Sequence, residues 1–252
     1  MSTNSLDDVL RRACDTAATV LAEVATRTDE VRGAGGEREG QYAFDLDVDG
    51  PIVDALLSAG LGVLSEEAGV QHPDRALIAV LDPVDGSTNA SLGLPWFATS
   101  ICVVDDDGPL QSIVVNHASG TRFEATRGGG ATRNGHPMGP PLARWFEDAV
   151  IGVNGRPPAN PGWGQFRTFG AAALDLCAVA EGRLGGYADF DDNAHGVWDY
   201  LGAVLVCEEV GVPTGDAFDR SLLTLEHTER RTPVAGCTQA VFDRLRTLRS
   251  SS

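Results

Sequence analysis

Lysine is absent from this 252-residue chain; its 19 basic residues are all arginine, set against 36 aspartates and glutamates for a formal charge of −17. A surface so acidic repels polyphosphate backbones, which excludes general binding of nucleic-acid polymers. The arginine bias reads as codon usage in preference to salt adaptation, because composition bears on solubility and association and not on finer claims. Cysteine is sparse: Cys14, Cys102, Cys177, Cys207 and Cys237 lie far apart, odd in number and without a C-x-x-C pair. That spacing argues against a disulfide framework and for buried thiols in a reducing compartment. Long apolar runs are missing too. None approaches the roughly 18 residues of a membrane span, and the N-terminus lacks the basic-then-apolar pattern of a secretory leader. The expectation is a cytoplasmic protein with no membrane partner.

What is present is the composition of a folded globular chain, 42% hydrophobic and 22% charged, long enough to bury a substantial core. Leu6, Val9, Leu10, Ala13, Ala17, Val20, Leu21 and Val24 recur at helical spacing and predict an amphipathic helix over 5–27. Gly33 to Gly40 is too glycine-rich and polar for a regular element and reads as a loop, with a short helix expected over 51–60. Strand-like runs follow at 76–81, 97–104, 111–115, 122–126 and 149–153, separated by turn signals such as Asp107-Gly108 and Asn134-Gly135. Such a meander predicts a largely antiparallel sheet. The Pro/Gly-rich segment Asn154 to Gly164 divides the chain, and helices are expected near 171–182, 197–210 and 238–249. Together these predict an α+β layered architecture.

Chemistry concentrates in Leu81-Asp82-Pro83-Val84-Asp85-Gly86-Ser87-Thr88-Asn89, directly after an apolar strand. Proline cannot continue a ladder, so the chain is expected to leave the sheet at Asp82, aiming Asp82 and Asp85 at one hard cation such as magnesium or manganese. Gly86, Ser87 and Thr88 read as a helix start able to take a phosphate, although Asp85 or Ser87 also fits a plain cap after an Asp-Pro turn. Ser65-Glu66-Glu67 and Val197-Trp198-Asp199 add further acids. Taken singly, the first fits a solvated surface and the second a helix-dipole partner. His117 and His136 fall in expected turns and read as structural or surface residues, Gly128-Gly129-Gly130 as a loop, and Trp96, Trp145 and Trp163 as packing residues.

In order, Glu-Glu, Asp-Pro-Val-Asp-Gly-Ser and Trp-Asp resemble the motifs of the inositol monophosphatase family. Asp45 to Asp49 is similar to that family's Asp-bearing segment, and Phe169 to Cys177 to its Gly-Ser/Thr-Ala-Ala helix start. The resemblance runs from about residue 5 to the C-terminus. It implies one domain over 1–252, an αβαβα sandwich of the inositol monophosphatase and fructose-1,6-bisphosphatase type, with an N-terminal half over about 1–145 and a C-terminal half over about 146–252.

The resemblance further implies two or three magnesium ions, with manganese a substitute. Glu66, Asp82 and the Val84 carbonyl would hold the first, Asp82, Asp85 and Asp199 the second, with Glu66 reaching a third through waters. Ser87 would orient the attacking water with Asp49 as its acidic partner. Substrate contacts would come from Asp85, Gly86, Ser87, the Gly170-Ala171-Ala172 turn, and Asp192, the acid six residues before Trp198. A homodimer is also implied. The departures lie on the substrate side: Ala171 replaces a hydroxyl residue, Ala90 an aromatic, Leu201 a small residue and Val212 a glycine. They imply an alcohol shaped differently from inositol. The function expected is hydrolysis of a small phosphate monoester, whether cyclitol, sugar, amino-alcohol or nucleoside. A bisphosphatase acting on fructose 1,6-bisphosphate or a 3′,5′-bisphosphonucleotide is the enzymatic alternative, and a silent binding homologue the non-enzymatic one.

Overall fold

The computed structural model describes residues 5–25, 42–159, 161–192 and 195–251, so the Gly33 to Gly40 loop expectation falls outside the described residues. The first helix forms where periodicity predicts it, α1 over Leu6–Ala25, with Leu10, Ala13, Cys14 and Ala17 buried. The second departs from expectation: α2 spans Ala43–Ser58 and carries Pro51 in its interior. Three features allow the early start. The Asp45 carboxylate accepts from the Tyr42 N–H at 3.0 Å, Phe44, Val48, Ile52 and Leu56 form one buried stripe, and Pro51 lies on the exposed side. There the carbonyl that loses its intrahelical bond to the proline can turn to water.

The first sheet contains β1 (Gly62–Ser65), β2 (Gly69–Gln71), β3 (Ile78–Asp85), β4 (Ala98–Asp105), β5 (Gly108–Asn116), β6 (Thr121–Thr126), β7 (Gly130–Arg133) and β8 (His136–Pro137). Its order is β2-β1-β3-β4-β5-β6-β7-β8. Every pair is antiparallel except β1 with β3, as the meander predicts. β3 is wholly buried because both faces are covered. Ala79 and Leu81 pack towards α1 and α2, while Ile78 and Val80 point the other way, a sorting that follows from the two-residue period of a strand.

The second sheet takes β9 (Val150–Asn154), β10 (Gln165–Arg167), β11 (Gly186–Asp189), β12 (Thr214–Asp216) and β13 (Pro233–Gly236) in the order β10-β9-β11-β13-β12. The Asn154 to Gly164 segment therefore links two strands of one sheet, and the change of sheet comes earlier, between β8 and β9. Between the sheets lie α4 (Ala172–Ala180) and α5 (Leu201–Glu209), whose side chains share one core with both sheets. Helix α6 (Gln239–Ser250) covers the outer face of the second sheet through Val241, Phe242 and Leu245. The result is the expected αβαβα sandwich.

All five cysteines are buried and free. Trp163 sits among Phe146, Phe166 and Phe190, but Trp145 is 79% exposed and is not a packing residue. It precedes the short turn Phe146–Asp148, whose only buried side chain is Phe146. No helix among the described residues is long and apolar enough to cross a membrane.

Candidate active site

β3 does not end at Asp82. Its ladder pairs Asp82 with Ser100, slips, and resumes at Asp85 with Ala98. Pro83 and Val84 thus face the single residue Thr99, a bulge that absorbs the proline's missing donor. The Thr99 hydroxyl donates to the Pro83 carbonyl at 2.7 Å and pins the bulge. Gly86 then adopts φ +87°, and a Cβ there would lie 3.0 Å from the Trp96 carbonyl and 3.1 Å from Ala171 Cβ. Only glycine fits. The chain turns into α3 (Ser87–Leu92), and the Asn89 amide donates to the carbonyls of Trp96 at 2.8 Å and Phe169 at 2.6 Å, bringing the 169–172 turn against Gly86.

Three acids remote in sequence converge here. Glu66 leaves β1 with its N–H on the Leu81 carbonyl, Asp82 ends the regular part of β3, and Asp199 closes the turn Val197–Asp199 that leads into α5. One carboxylate oxygen from each lies within 4.8 Å of the others. Asp82 is 1% exposed. Its Oδ1 accepts from the Val84 N–H at 2.9 Å, whereas Oδ2 is buried without a hydrogen bond. Burial and the charges of Asp199 and other acids hold Glu66 well above the usual carboxylate range. Burial, then Glu66 and Asp85, do the same to Asp82. Acids desolvated together in this way stay ionised only beside a cation, and an all-oxygen donor set is what magnesium or manganese takes.

Asp85, the fourth expected ligand, also has partners in a helix. Its two oxygens accept from the Ala172 N–H at 3.2 Å and the Ala173 N–H at 2.7 Å. Ala171 is the N-cap of α4 and has no oxygen to offer, so Asp85 caps that helix from across the site. Burial and Asp199 raise its pKa well above the usual range.

The expected Ser87–Asp49 pair does not form. Ser87 Oγ lies 2.8 Å from Asp45 Oδ1 and 2.8 Å from the Val84 carbonyl, while Asp49 accepts from the Ser65 hydroxyl. The early start of α2 is the reason. With residue 43 already helical, Asp45 and Asp49 stand one turn apart on the same buried face, and the upper one meets Ser87. Burial, offset by bonds from Tyr42 and Ser87, pushes Asp45 up to about 6.

Asp192 also lies elsewhere than expected. Its side chain is 88% exposed and pairs with Arg249 of α6. The acid that faces the interior here is Asp189, fully buried at the end of β11 and bonded by the Asn154 amide at 2.9 Å. Sequence reading missed it because counting back from Trp198 ignores where the strand stops. It also missed His195, whose Nδ1 donates to Asp199 Oδ2 at 3.1 Å and whose Nε2 meets the Tyr187 hydroxyl at 2.9 Å. Burial alone would lower this imidazole, but the bond to Asp199 and the charges of Asp199, Asp189 and Asp85 raise it to about 9. Two more contacts were invisible in sequence: Trp96 Nε1 on Asp175 at 2.9 Å, and His227 Nε2 on the Glu66 carbonyl at 3.0 Å.

The profile of the inositol monophosphatase family matches residues 3–241. The chain belongs to that family, a group of phosphoric monoester hydrolases. Among inositol monophosphatase relatives, the inositol-1-monophosphatase ImpA of Mycolicibacterium smegmatis is 31% identical over 185 residues, 66% of each chain. The probable inositol 1-monophosphatase ImpA of Mycobacterium tuberculosis is 30% identical over 215 residues, 77% of each. The matched region is thus about two thirds to three quarters of these relatives' length. A solved inositol monophosphatase–fructose 1,6-bisphosphatase superposes with a TM-score of 0.86 at 22% identity, covering 97% of this chain and 100% of the other, which shows the shared fold.

Proposed function

We propose that this protein hydrolyses a small phosphate monoester to its alcohol and inorganic phosphate with magnesium as cofactor. The observation that carries this reading is the meeting of the carboxylates of Glu66, Asp82 and Asp199, of which Asp82 has a buried oxygen without a hydrogen bond. These three, with the Val84 carbonyl and Asp85, would hold the ions; manganese fits the same donors. Bound divalent cations supply Lewis-acid polarisation of the phosphoryl group and compensation of its negative charge.

The chain's own residues do the rest. Ser87 orients the attacking water, and Asp45, in place of Asp49, holds the Ser87 hydroxyl and receives the proton. Backbone amides at Gly86 and Ser87 take the phosphate, at a turn that the absence of a Cβ at Gly86 lets pack against the Trp96 and Gly170 carbonyls. On the alcohol side the hydroxyl missing at Ala171 and the interior acid Asp189, in place of Asp192, favour an alcohol other than inositol, because polar groups read hydroxyls more stringently than apolar walls do. The reading extends to a homodimer in the cytoplasm.

The deciding experiment is phosphate release from a panel of about twenty monoesters and bisphosphates, each with magnesium and with EDTA. Release that needs magnesium and concentrates on one monoester class is the expected result. Preference for a bisphosphate would move the assignment to a bisphosphatase, and no release from any would point to a silent homologue.

A further inference from the structure

Two side chains beside the site, Tyr187 and His195, are left without a task by the reaction outlined above. Tyr187 lies within β11, fully buried, and its hydroxyl meets His195 Nε2 at 2.9 Å. The opposite ring nitrogen, Nδ1, lies 3.1 Å from Asp199 Oδ2, and since a carboxylate at this site accepts, Nδ1 carries the hydrogen. Asp189 Oδ2, buried and without a hydrogen bond, stands 3.8 Å from Nε2. The backbone fixes the imidazole from both sides. The Arg231 N–H donates to the His195 carbonyl at 2.8 Å, and Gly196 packs so closely on Trp198 that a Cβ would lie 2.3 Å from its ring. That packing brings the Gly196 N–H within 2.8 Å of the same Asp199 Oδ2.

Asp199 comes from a short turn, 117 positions along the chain from Asp82, and its side chain is 18% exposed. Of the turn's own groups, the N-cap N–H of Gly196 helps to select the one rotamer that brings the Asp199 carboxylate to Glu66 and Asp82. With the His195 Nδ1–H it makes two donors on one oxygen, and they leave the other oxygen unconsumed. We propose that His195 is a positioning residue for the cation site, holding Asp199 in ligating orientation through Nδ1–H while Tyr187 fixes the far side of the ring. Partners that orient ligands in this way are worth about 10- to 100-fold in metal affinity. The inference rests on the magnesium reading of the preceding subsection, and the experiment separates the two.

Manganese binding to the full chain is measured by the electron paramagnetic resonance of the free ion, without substrate, for wild type, His195→Leu, His195→Gln and His195→Asn, with a thermal melt of each metal-free protein. The asparagine amide reaches the place of Nδ1, and the glutamine amide that of Nε2. The proposal expects His195→Leu and His195→Gln to bind manganese about tenfold or more weakly, and His195→Asn to recover to within about threefold of wild type. The magnesium concentration for half-maximal phosphate release should move in step, with turnover at saturating magnesium little changed. Equal losses in the asparagine and glutamine variants would overturn it, since packing and not the Nδ1 bond would then matter. Wild-type affinity in His195→Leu would overturn it as well. If leucine prevents folding, the asparagine–glutamine comparison decides alone. A wild type that binds no manganese would sink the cation reading itself, and this inference with it.

Discussion

Asp82 is a buried acid in a crowd of acids. It is 1% exposed, one oxygen accepts from the Val84 N–H, the other is buried without a hydrogen bond, and the carboxylate meets those of Glu66 and Asp199. Asp82→Asn keeps the shape and removes the charge, and turnover should fall by about two orders of magnitude or more; near-normal phosphate release would end the assignment. The two serine–carboxylate pairs allow a sharper comparison. Asp45→Asn should lower turnover by about 10²-fold, as expected when a general base is lost. Asp49→Asn weakens its bond with Ser65 and should act mainly on stability, by about 1–3 kcal/mol. Steady-state kinetics beside thermal melts checks both, and the opposite ranking would return the dyad to Asp49.

At the scale of elements, the site exists because several chain ends abut. β3 supplies a bulge, α3 a glycine turn, and α4 an N-terminus without a cap of its own. Ala171 is buried and has no side-chain oxygen, so α4 borrows Asp85. Ala171→Ser supplies an N-cap hydroxyl in the helix's own chain and should stabilise the protein by about 1 kcal/mol. It should also loosen the hold of α4 on Asp85. A rise in melting temperature together with tighter manganese binding is the expected outcome; a fall in both would mean that Asp85 is already placed as the site requires.

For the whole molecule, the acids set an unusual pH response. Burial raises Asp175 to about 7 and Asp45 to about 6, and Glu66, Asp82 and Asp85 are raised as well. A carboxyl whose folded pKa lies above its unfolded one contributes stability that is full below the unfolded value and lost as pH rises through the folded value. His117 acts with the opposite sign. Burial lowers it to about 4 from an ordinary 6.5, so its contribution is present above that ordinary value and lost as pH falls through the folded one. Because more acids than imidazoles are involved, the metal-free protein in EDTA should melt at a higher temperature at pH 5.5 than at pH 8. Saturating magnesium should shrink that difference by stabilising the pH 8 form, about 2.7 kcal/mol at a hundred times the dissociation constant. A melting temperature in EDTA that falls between pH 8 and pH 5.5 would contradict this account of the buried acids.

By itself the sequence determined the elements whose signal is local. The helix of α1 follows from apolar spacing, the antiparallel meander of β4 to β6 from alternation and Gly turns, and the family from ordered motifs that need no geometry to be read. It also determined which acids gather, since Glu66, Asp82 and Asp199 are motif residues. The tertiary structure alone decided their partners. Asp45 and Asp49 are both acids of one short segment, and which of them meets Ser87 depends on where α2 begins, eight residues ahead of a proline that would ordinarily mark a helix start. Asp189 faces the interior and Asp192 the solvent because β11 ends at residue 189, a boundary that counting from Trp198 does not see. His195 reaches Asp199 only because Gly196 packs on Trp198 and Arg231 holds the backbone. Periodicity fixes which face of an element is buried, but the pairing of side chains between elements is set by where those elements start, stop and touch, and that is long-range information no local pattern carries.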